Sequence, residues 1–394
     1  MQKYFKNIYF ASPYLIQNII VSLKGLFLSK KRFNKEFKSY LSFYQEFNKK
    51  SLEEQKELEL NRLKLFLVNA EKSEYWKKIF KQYKIDVFSN NIEDQISKLP
   101  VMNKDDVKKN IDLIVIDKRK MNLVNTSGTT GTGLNFYESK SAERERWAVW
   151  WNYRINNGIK FNQWYGWFGG TKIISSNTKN KPFWRVNIGD KRIMFSLYHL
   201  NDKTIDSYLE EISLRKLEWL HGYPSQIALL ASLGQSKNTD LSFVKNITFG
   251  SENTLANQLN IIKAVFKNAK LSQHYGLAES VVNISETNVN GLKLDRYFSY
   301  SEFVPTKEKN KYWIIGTNLS NPNFPLIRYN TGDIIEIIDN KIISIDGRKE
   351  DYITLPDGTK LGRLDHIFKN LIYINEAQIY QPTINLIIFK IVKG

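Results

Sequence analysis

The stretch Asn125-Thr126-Ser127-Gly128-Thr129-Thr130-Gly131-Thr132-Gly133 constrains this chain more than any other segment. Its three glycines let the backbone fold tightly and turn several N–H groups toward one point. The hydroxyls of Thr126, Ser127, Thr129 and Thr130 add donors to the same concavity. Such a nest suits an oxyanion, and a triphosphate above all. It is not a Walker loop, because the Gly-Lys-Ser/Thr ending is missing. Taken alone, a hydroxyl- and glycine-rich segment is also what an ordinary solvated turn looks like.

The surroundings of the loop predict an α/β fold. It follows an apolar run, Ile111, Leu113, Ile114, Val115 and Ile116, and precedes a helix-like segment from Ser139 to Ile155. Residues 1–110 read as mainly helical, with apolar residues at threes and fours over Leu52–Ala70 and Ser73–Tyr83. From about 111 the pattern changes to short apolar strands alternating with helices. Helices are predicted over Ser207–Arg215, Ser225–Leu233 and Ala256–Phe266. Strands are predicted over Val244–Phe249, Leu271–His274, Lys311–Gly316, Leu326–Tyr329, Ile334–Ile338 and Lys341–Ile345, with Asp339-Asn340 as a hairpin turn.

At 394 residues the chain can bury a large core and hold one big domain, alone or with a small one. It has no cysteine, which removes thiolate nucleophiles, disulfides and Cys-ligated zinc and fits a reducing cytoplasm. Its four histidines, His199, His221, His274 and His366, show no close pairing of the zinc-site kind. The net charge of +18 invites a nucleic-acid reading. Against it, only 13 of the 58 basic residues are arginine, lysine comes with abundant Asn and Ile, and no nucleic-acid-binding signature accompanies the charge. No nucleic-acid partner is expected.

The charge is uneven. Residues 1–50 hold ten Lys/Arg against two acids, Glu36 and Glu46, so +8 of the +18 sits there. Within this arm Tyr14–Leu28 is an apolar run interrupted by Gln17, Asn18, Ser22, Lys24 and Gly25 and closed by Lys30-Lys31-Arg32. It is too short and too polar to span a bilayer and lacks the pattern of a signal peptide. Two readings stay open: a helix packed on the main domain, or a basic amphipathic anchor making peripheral contact with the inner face of a membrane.

Downstream the chain reads His274-Tyr275-Gly276-Leu277-Ala278-Glu279-Ser280, then Arg328-Tyr329-Asn330-Thr331-Gly332-Asp333, then Gly347-Arg348-Lys349-Glu350-Asp351-Tyr352-Ile353. With the first loop, in this order and at these separations, they resemble the core motifs of the adenylate-forming superfamily of acyl-CoA synthetases and related ligases. A closer resemblance is to phenylacetate–CoA ligase-like proteins, and within them to the CapK-type proteins of surface-polysaccharide gene clusters. It is carried by Pro182-Phe183-Trp184-Arg185-Val186-Asn187, Ser196-Leu197-Tyr198-His199-Leu200, His221-Gly222-Tyr223-Pro224-Ser225 and Gly362-Arg363-Leu364-Asp365-His366-Ile367-Phe368.

That resemblance implies an ATP- and magnesium-dependent adenylation of a small-molecule carboxylate in surface-polysaccharide assembly. The acyl group then passes to a thiol such as coenzyme A or to an amine such as an amino sugar. Both reactants are anionic, so the site must neutralise charge and hold them in line. The loop Thr126-Ser127-Gly128-Thr129-Thr130-Gly131 would cradle the phosphates, and Glu279 would bind the magnesium. Tyr275, beside Gly276, would stack on adenine. Asp333 would accept from the ribose hydroxyls, and Arg348 would contact ribose or phosphate. Gly250, Ser251 and Glu252 match a segment at the adenine–acyl junction, while Trp167, Arg185, His221 and Tyr223 would surround the acyl or acceptor pocket. Each also has an ordinary structural use: a turn aromatic, a turn aspartate, a surface charge, a hydrogen-bonded core histidine.

The implied architecture is a large N-terminal adenylate-forming domain of layered sheets and helices, residues 1–349, and a short α+β lid, residues 350–394, hinged at Glu350. Three departures from the family pattern qualify it. Thr132-Gly133-Leu134 stands where many members carry lysine. Glu350 replaces the usual aspartate. The chain ends at Lys393-Gly394 without the family's terminal Gly-Lys element, so the lid is expected to be truncated. The alternative is a catalytically degenerate member that binds nucleotide or glycan as an assembly factor.

Overall fold

The computed structural model describes residues 2–119, 121–126, 133–237, 239–287, 291–348, 353–356, 360–361 and 374–393. Internal contacts divide the chain into two units. The first is Met1–Lys35, Tyr153–His274 and Glu286–Val289, and the second is Glu36–Asn152, Tyr275–Ser285 and Asn290–Gly394.

The first unit is an α/β sandwich. Its strands are β3 (Tyr165–Phe168), β4 (Trp184–Asn187), β5 (Arg192–Phe195), β6 (Trp219–Gly222), β7 (Asn246–Gly250) and β8 (Lys270–Gly276), whose last two residues fall to the second unit. They run β8-β7-β6-β3-β5-β4, all parallel except β4, which is antiparallel to β5. Its helices include α9 (Ile205–Leu214), α10 (Pro224–Gly234) and α11 (Ala256–Val265). Proline at the start of α10 supplies a preset φ where no intrahelical N–H bond is lost. Phe168, Ile193, Leu220, Ile247 and Phe249 point to one side of the sheet and form the core with Tyr208, Ile227 and Ile262 of these helices.

The N-terminal helices α1 (Gln2–Ala11) and α2 (Tyr14–Arg32) belong to this unit. β4 ends the strand order, so its outer N–H and C=O groups need partners. Polar side chains of α2 supply them. Asn18 Oδ1 accepts from the Val186 N–H at 3.0 Å, and Ser22 Oγ donates to the Val186 carbonyl at 3.1 Å and accepts from Ile188 N–H at 3.1 Å. Gly25 permits the approach, since a Cβ there would lie 2.1 Å from Asn187 Oδ1. The helix therefore buries Gln17, Ser22 and Gly25.

The second unit holds α3 (Lys35–Phe47), α4 (Leu52–Ala70), α5 (Glu74–Gln82), α6 (Ile92–Ser97), α7 (Lys104–Ile114) and most of α8 (Lys140–Asn156). α4 opens with a capping box in which Ser51 and Glu54 exchange bonds with each other's backbone. Its strands β9 (Asn283–Thr287), β10 (Gly291–Leu294), β11 (Tyr300–Pro305), β12 (Lys311–Thr317), β13 (Tyr329–Ile338) and β14 (Lys341–Arg348) run in the order β11-β12-β13-β14-β10-β9. Leu63, Phe66 and Leu67 of α4 pack in the core with Trp76, Ile284, Ile314, Phe324 and Ile335. A separate hairpin joins β1 (Met121–Asn125) to β2 (Asn135–Ser139). After Glu350 the described residues form strands only: β15 (Ile353–Thr354), β16 (Lys360–Leu361), β17 (Ile374–Thr383) and β18 (Leu386–Lys393).

The α/β class and most predicted elements are present, with three differences. The run at 111–116 is mainly the end of α7, not a strand. Asn103 caps that helix in a box with Asp106, and Val107, Ile111 and Ile114 recur at helical spacing toward the core. β1 is followed by an antiparallel partner, β2, and not directly by a helix. Finally, 326–329 and 334–338 are not two strands. β13 runs unbroken through Thr331-Gly332, whose left-handed φ of 75° is accommodated within it.

Candidate functional site

In the second unit three distant motifs meet. Tyr275 lies at the end of β8, Asp333 on β13 and Arg348 on β14. The Tyr275 hydroxyl donates to Asp333 Oδ2 at 2.6 Å. Arg348 is the strand partner of Asp333, while its side chain lies outside the described residues. Asp333 is fixed locally: its N–H donates to Thr331 Oγ1 at 3.0 Å, that hydroxyl donates to the Ile314 carbonyl at 2.9 Å, and Asn330 Oδ1 accepts from the Gly332 N–H at 2.9 Å. Asp333 is buried, as is Glu279.

Glu279 sits in the turn that follows Tyr275-Gly276. The Ser280 N–H donates to the Leu277 carbonyl at 3.1 Å, and Ser280 adopts a left-handed φ of 59°. Arg146 of α8 holds this turn. Its Nη1 donates to the Ala278 carbonyl at 2.6 Å and pairs with Glu138 Oε1 of β2 at 2.7 Å. One guanidinium thus ties the glycine-rich hairpin to the Glu279 turn. Sequence reasoning missed Arg146 and Glu138, because nothing in Ala142-Glu143-Arg144-Glu145-Arg146 marks one arginine as the connector. Arg328, at the head of its motif, has a supporting role. Its guanidinium bonds the carbonyls of Ser97 (2.7 Å) and Leu99 and pairs with Glu302 at 3.1 Å.

At the hairpin, Ser127, Gly128, Thr129, Thr130 and Gly131 lie outside the described residues. Thr126 closes the neck of the loop. Its N–H donates to the Leu134 carbonyl and its Oγ1 accepts from the Leu134 N–H, each at 2.9 Å. Gly133 is required beside it, because a Cβ would lie 1.9 Å from the Thr126 carbonyl oxygen. Glu350 also lies outside the described residues.

In the first unit the strand register places Trp167, His221, Thr248 and Ser272 in one row across β3, β6, β7 and β8. His221 Nδ1 lies 3.1 Å from the Thr248 carbonyl and 2.9 Å from its Oγ1, which also accepts from Trp219 Nε1 at 2.8 Å. A carbonyl only accepts, so Nδ1 carries the proton and Nε2 the lone pair. Burial, with Arg154 and His274 nearby, pushes the His221 pKa down to about 3. This histidine is neutral throughout the physiological range.

The chain after β3 runs close to Trp167 and Tyr223. A Cβ at Gly169 would stand 2.2 Å from the Trp167 indole, and one at Gly170 would stand 2.8 Å from the Tyr223 hydroxyl. Gly250 ends β7, Ser251 follows in a left-handed conformation (φ 70°), and Glu252 Oε2 accepts from the Ser225 N–H at 3.3 Å, at the start of α10. Arg185 is placed elsewhere. Its Nε donates to Gln17 Oε1 at 2.6 Å, its Nη1 reaches the Pro182 and Trp184 carbonyls, and its guanidinium lies 5.0 Å from the Tyr14 ring centroid. It holds α2 to β4, a use that its position in the motif Phe183-Trp184-Arg185 did not reveal.

The same architecture is found in 2-hydroxyisobutyryl-CoA ligase. Its structure with 2-HIB-AMP and CoA in the thioesterification state superposes with a TM-score of 0.59, covering 88% of this chain and 80% of that one at 16% identity. An open conformation of that ligase gives 0.55, over 85% and 79% of the two chains at 14% identity. In sequence the chain is 28% identical to Protein CapK of Staphylococcus aureus over 359 residues, 88% of this chain and 78% of that protein. The fold is that of adenylate-forming ligases, and the sequence is similar to that of CapK. No family model matches it. Among the described residues no helix is long and apolar enough to cross a membrane.

Proposed function

We propose that this chain is a ligase that activates a carboxylic acid as its acyl-adenylate, using ATP with magnesium, and passes the acyl group to a thiol or an amine. A carboxylate oxygen would form a bond to the α-phosphorus as the bond to pyrophosphate breaks. The incoming thiol or amine would then attack the acyl carbon and expel AMP. The observation that carries this reading is the convergence of Tyr275, Asp333 and the Arg348 backbone, with the buried Glu279 in the turn beside them.

In this reading the Tyr275 ring faces adenine and its hydroxyl keeps Asp333 oriented toward the ribose. Thr126 anchors the phosphate loop at its neck. The described residues contain no cluster of three metal-ligating side chains. A single buried carboxylate fits magnesium, which is commonly held by one or two carboxylates together with substrate phosphates. Glu279 would hold it, and the ion would offset charge developing on the phosphates. His221, as a neutral acceptor at Nε2, would line the acyl or acceptor pocket with Trp167 and Tyr223, and Gly250, Ser251 and Glu252 would border it. Residues 350–394 would act as the lid, hinged at Glu350. Coenzyme A serves the thiol route and an amino sugar the amine route. The CapK-type resemblance supports a place in surface-polysaccharide assembly on the cytoplasmic side.

Acid-dependent ATP–pyrophosphate exchange over a panel of carboxylic acids tests this. Exchange should require magnesium, and Glu279→Gln should slow it by about a hundredfold or more while leaving the melting temperature unchanged. Asp333→Ala should weaken ATP binding by about tenfold or more, the loss of a hydrogen bond to a charged acceptor, yet leave tripolyphosphate binding unaltered. ATP binding without exchange for any acid would point instead to a nucleotide-binding assembly factor.

A further inference from the structure

α2 is turned inside out. Gln17 and Ser22 are 3% and 8% exposed, whereas Leu15, Leu23 and Phe27 are 71%, 61% and 69% exposed. At about 100° per residue, Leu15, Ile16, Ile19, Leu23, Leu26 and Phe27 fall within one arc of about 120°, all facing outward. The inversion has a cause: the polar side of the helix is engaged by the backbone groups of the sheet edge at β4. An apolar stripe this continuous, along a helix about 28 Å long, is what a partner surface covers.

Charge identifies the partner. The first 35 residues hold seven Lys/Arg and no acid. Lys24 and Lys30 are exposed on α2 itself, and Lys6 on α1. Two copies pairing through this face would bring like charges together, whereas an anionic lipid surface takes both the apolar stripe and the cations. We propose that α2 is a monotopic anchor that lies in the interface of an anionic membrane, with its Leu/Ile/Phe stripe among the acyl chains and Lys24 and Lys30 at headgroup level. The helix lies on the bilayer and does not cross it. This inference stands apart from the adenylation reading.

Flotation of the full chain with phosphatidylcholine vesicles, with and without phosphatidylglycerol, tests the anchor. The chain should float with the anionic vesicles, and added salt should release part of it. Leu23→Asp/Phe27→Asp should lower partitioning by more than about tenfold, with an unchanged circular-dichroism melt. Lys24→Gln and Lys30→Gln should each lower it by about fivefold; if the aspartate variant fails to fold, these two decide. No flotation with anionic vesicles overturns the proposal, as does flotation indifferent to both sets of variants. So does a dimer, seen by sedimentation and dissolved by Leu23→Asp/Phe27→Asp, in a chain that ignores vesicles.

Discussion

α2 and α4 are helices of equal length, 19 residues each, and they bury opposite chemistries. α4 turns Leu63, Phe66, Leu67 and Ala70 inward, with Glu59 buried in a pair with Arg296 at 2.7 Å, and starts at a capping box. α2 starts after Pro13 with no side-chain cap, ends on Lys30-Lys31-Arg32, and turns Gln17, Ser22 and Gly25 inward. An arginine also fixes each helix. Arg62 of α4 makes a two-point pair with Glu145, at 2.6 and 2.9 Å, and Gln17 of α2 accepts from Arg185 at 2.6 Å. Amphipathicity says that a helix has two faces. What the neighbouring element lacks decides which face is buried: α4 meets apolar side chains, and α2 meets the unpaired backbone of an edge strand.

The largest effect should come from large-to-small changes. Phe66→Ala should cost about 3–5 kcal/mol of unfolding free energy through the cavity it leaves. Phe27→Ala, on the outward face of α2, should stay within about 0.5 kcal/mol. Urea unfolding measures both, and a comparable loss at Phe27 would mean that the α2 stripe is covered within the folded chain.

A second test contrasts the units to which the helices belong, through titration. Burial lowers the His221 pKa from 6.5 to about 3, so the unfolded chain binds the extra proton between those values. Stability should therefore rise with pH through that window. Burial raises the Asp295 pKa from 3.8 to about 7, although Asn283 and Ser285 donate to its carboxylate, so the folded chain holds the extra proton. Its contribution should fall as pH rises from about 4 to 7. Each slope is worth on the order of a few kcal/mol. His221→Asn should lose less stability than wild type on acidification from pH 6.5, and Asp295→Asn less on going from pH 4 to 7. Parallel curves for variant and parent would remove that group from the account.

Gly25→Ala comes next. The new methyl would fall 2.1 Å from the buried Asn187 side chain, so about 1–3 kcal/mol of overpacking is expected. A neutral or stabilising result, as alanine normally gives in a helix, would show that α2 does not rest on β4 so closely. The smallest effect belongs to the α4 cap: Ser51→Ala should cost about 1 kcal/mol by leaving the Glu54 N–H without its side-chain acceptor.

The sequence by itself determined the α/β class, the helices at 52–70 and 73–83, and about half of the described elements after residue 200, because these depend on short-range periodicity and caps. Its resemblance to adenylate-forming ligases also pointed to Tyr275, Glu279, Asp333 and Arg348 as candidates for a nucleotide site. The helix that ends at Ile114 was also written locally, in the Asn103–Asp106 cap and the 107/111/114 spacing, whereas other features waited on the tertiary structure. It alone placed the Tyr275 hydroxyl against Asp333 across 58 residues and made Arg146 the link between two loops. It engaged Arg185 with Gln17 of α2, 168 residues away. And it set the outward face of α2, because a hydrogen-bonding partner 164 residues away leaves no mark in local sequence.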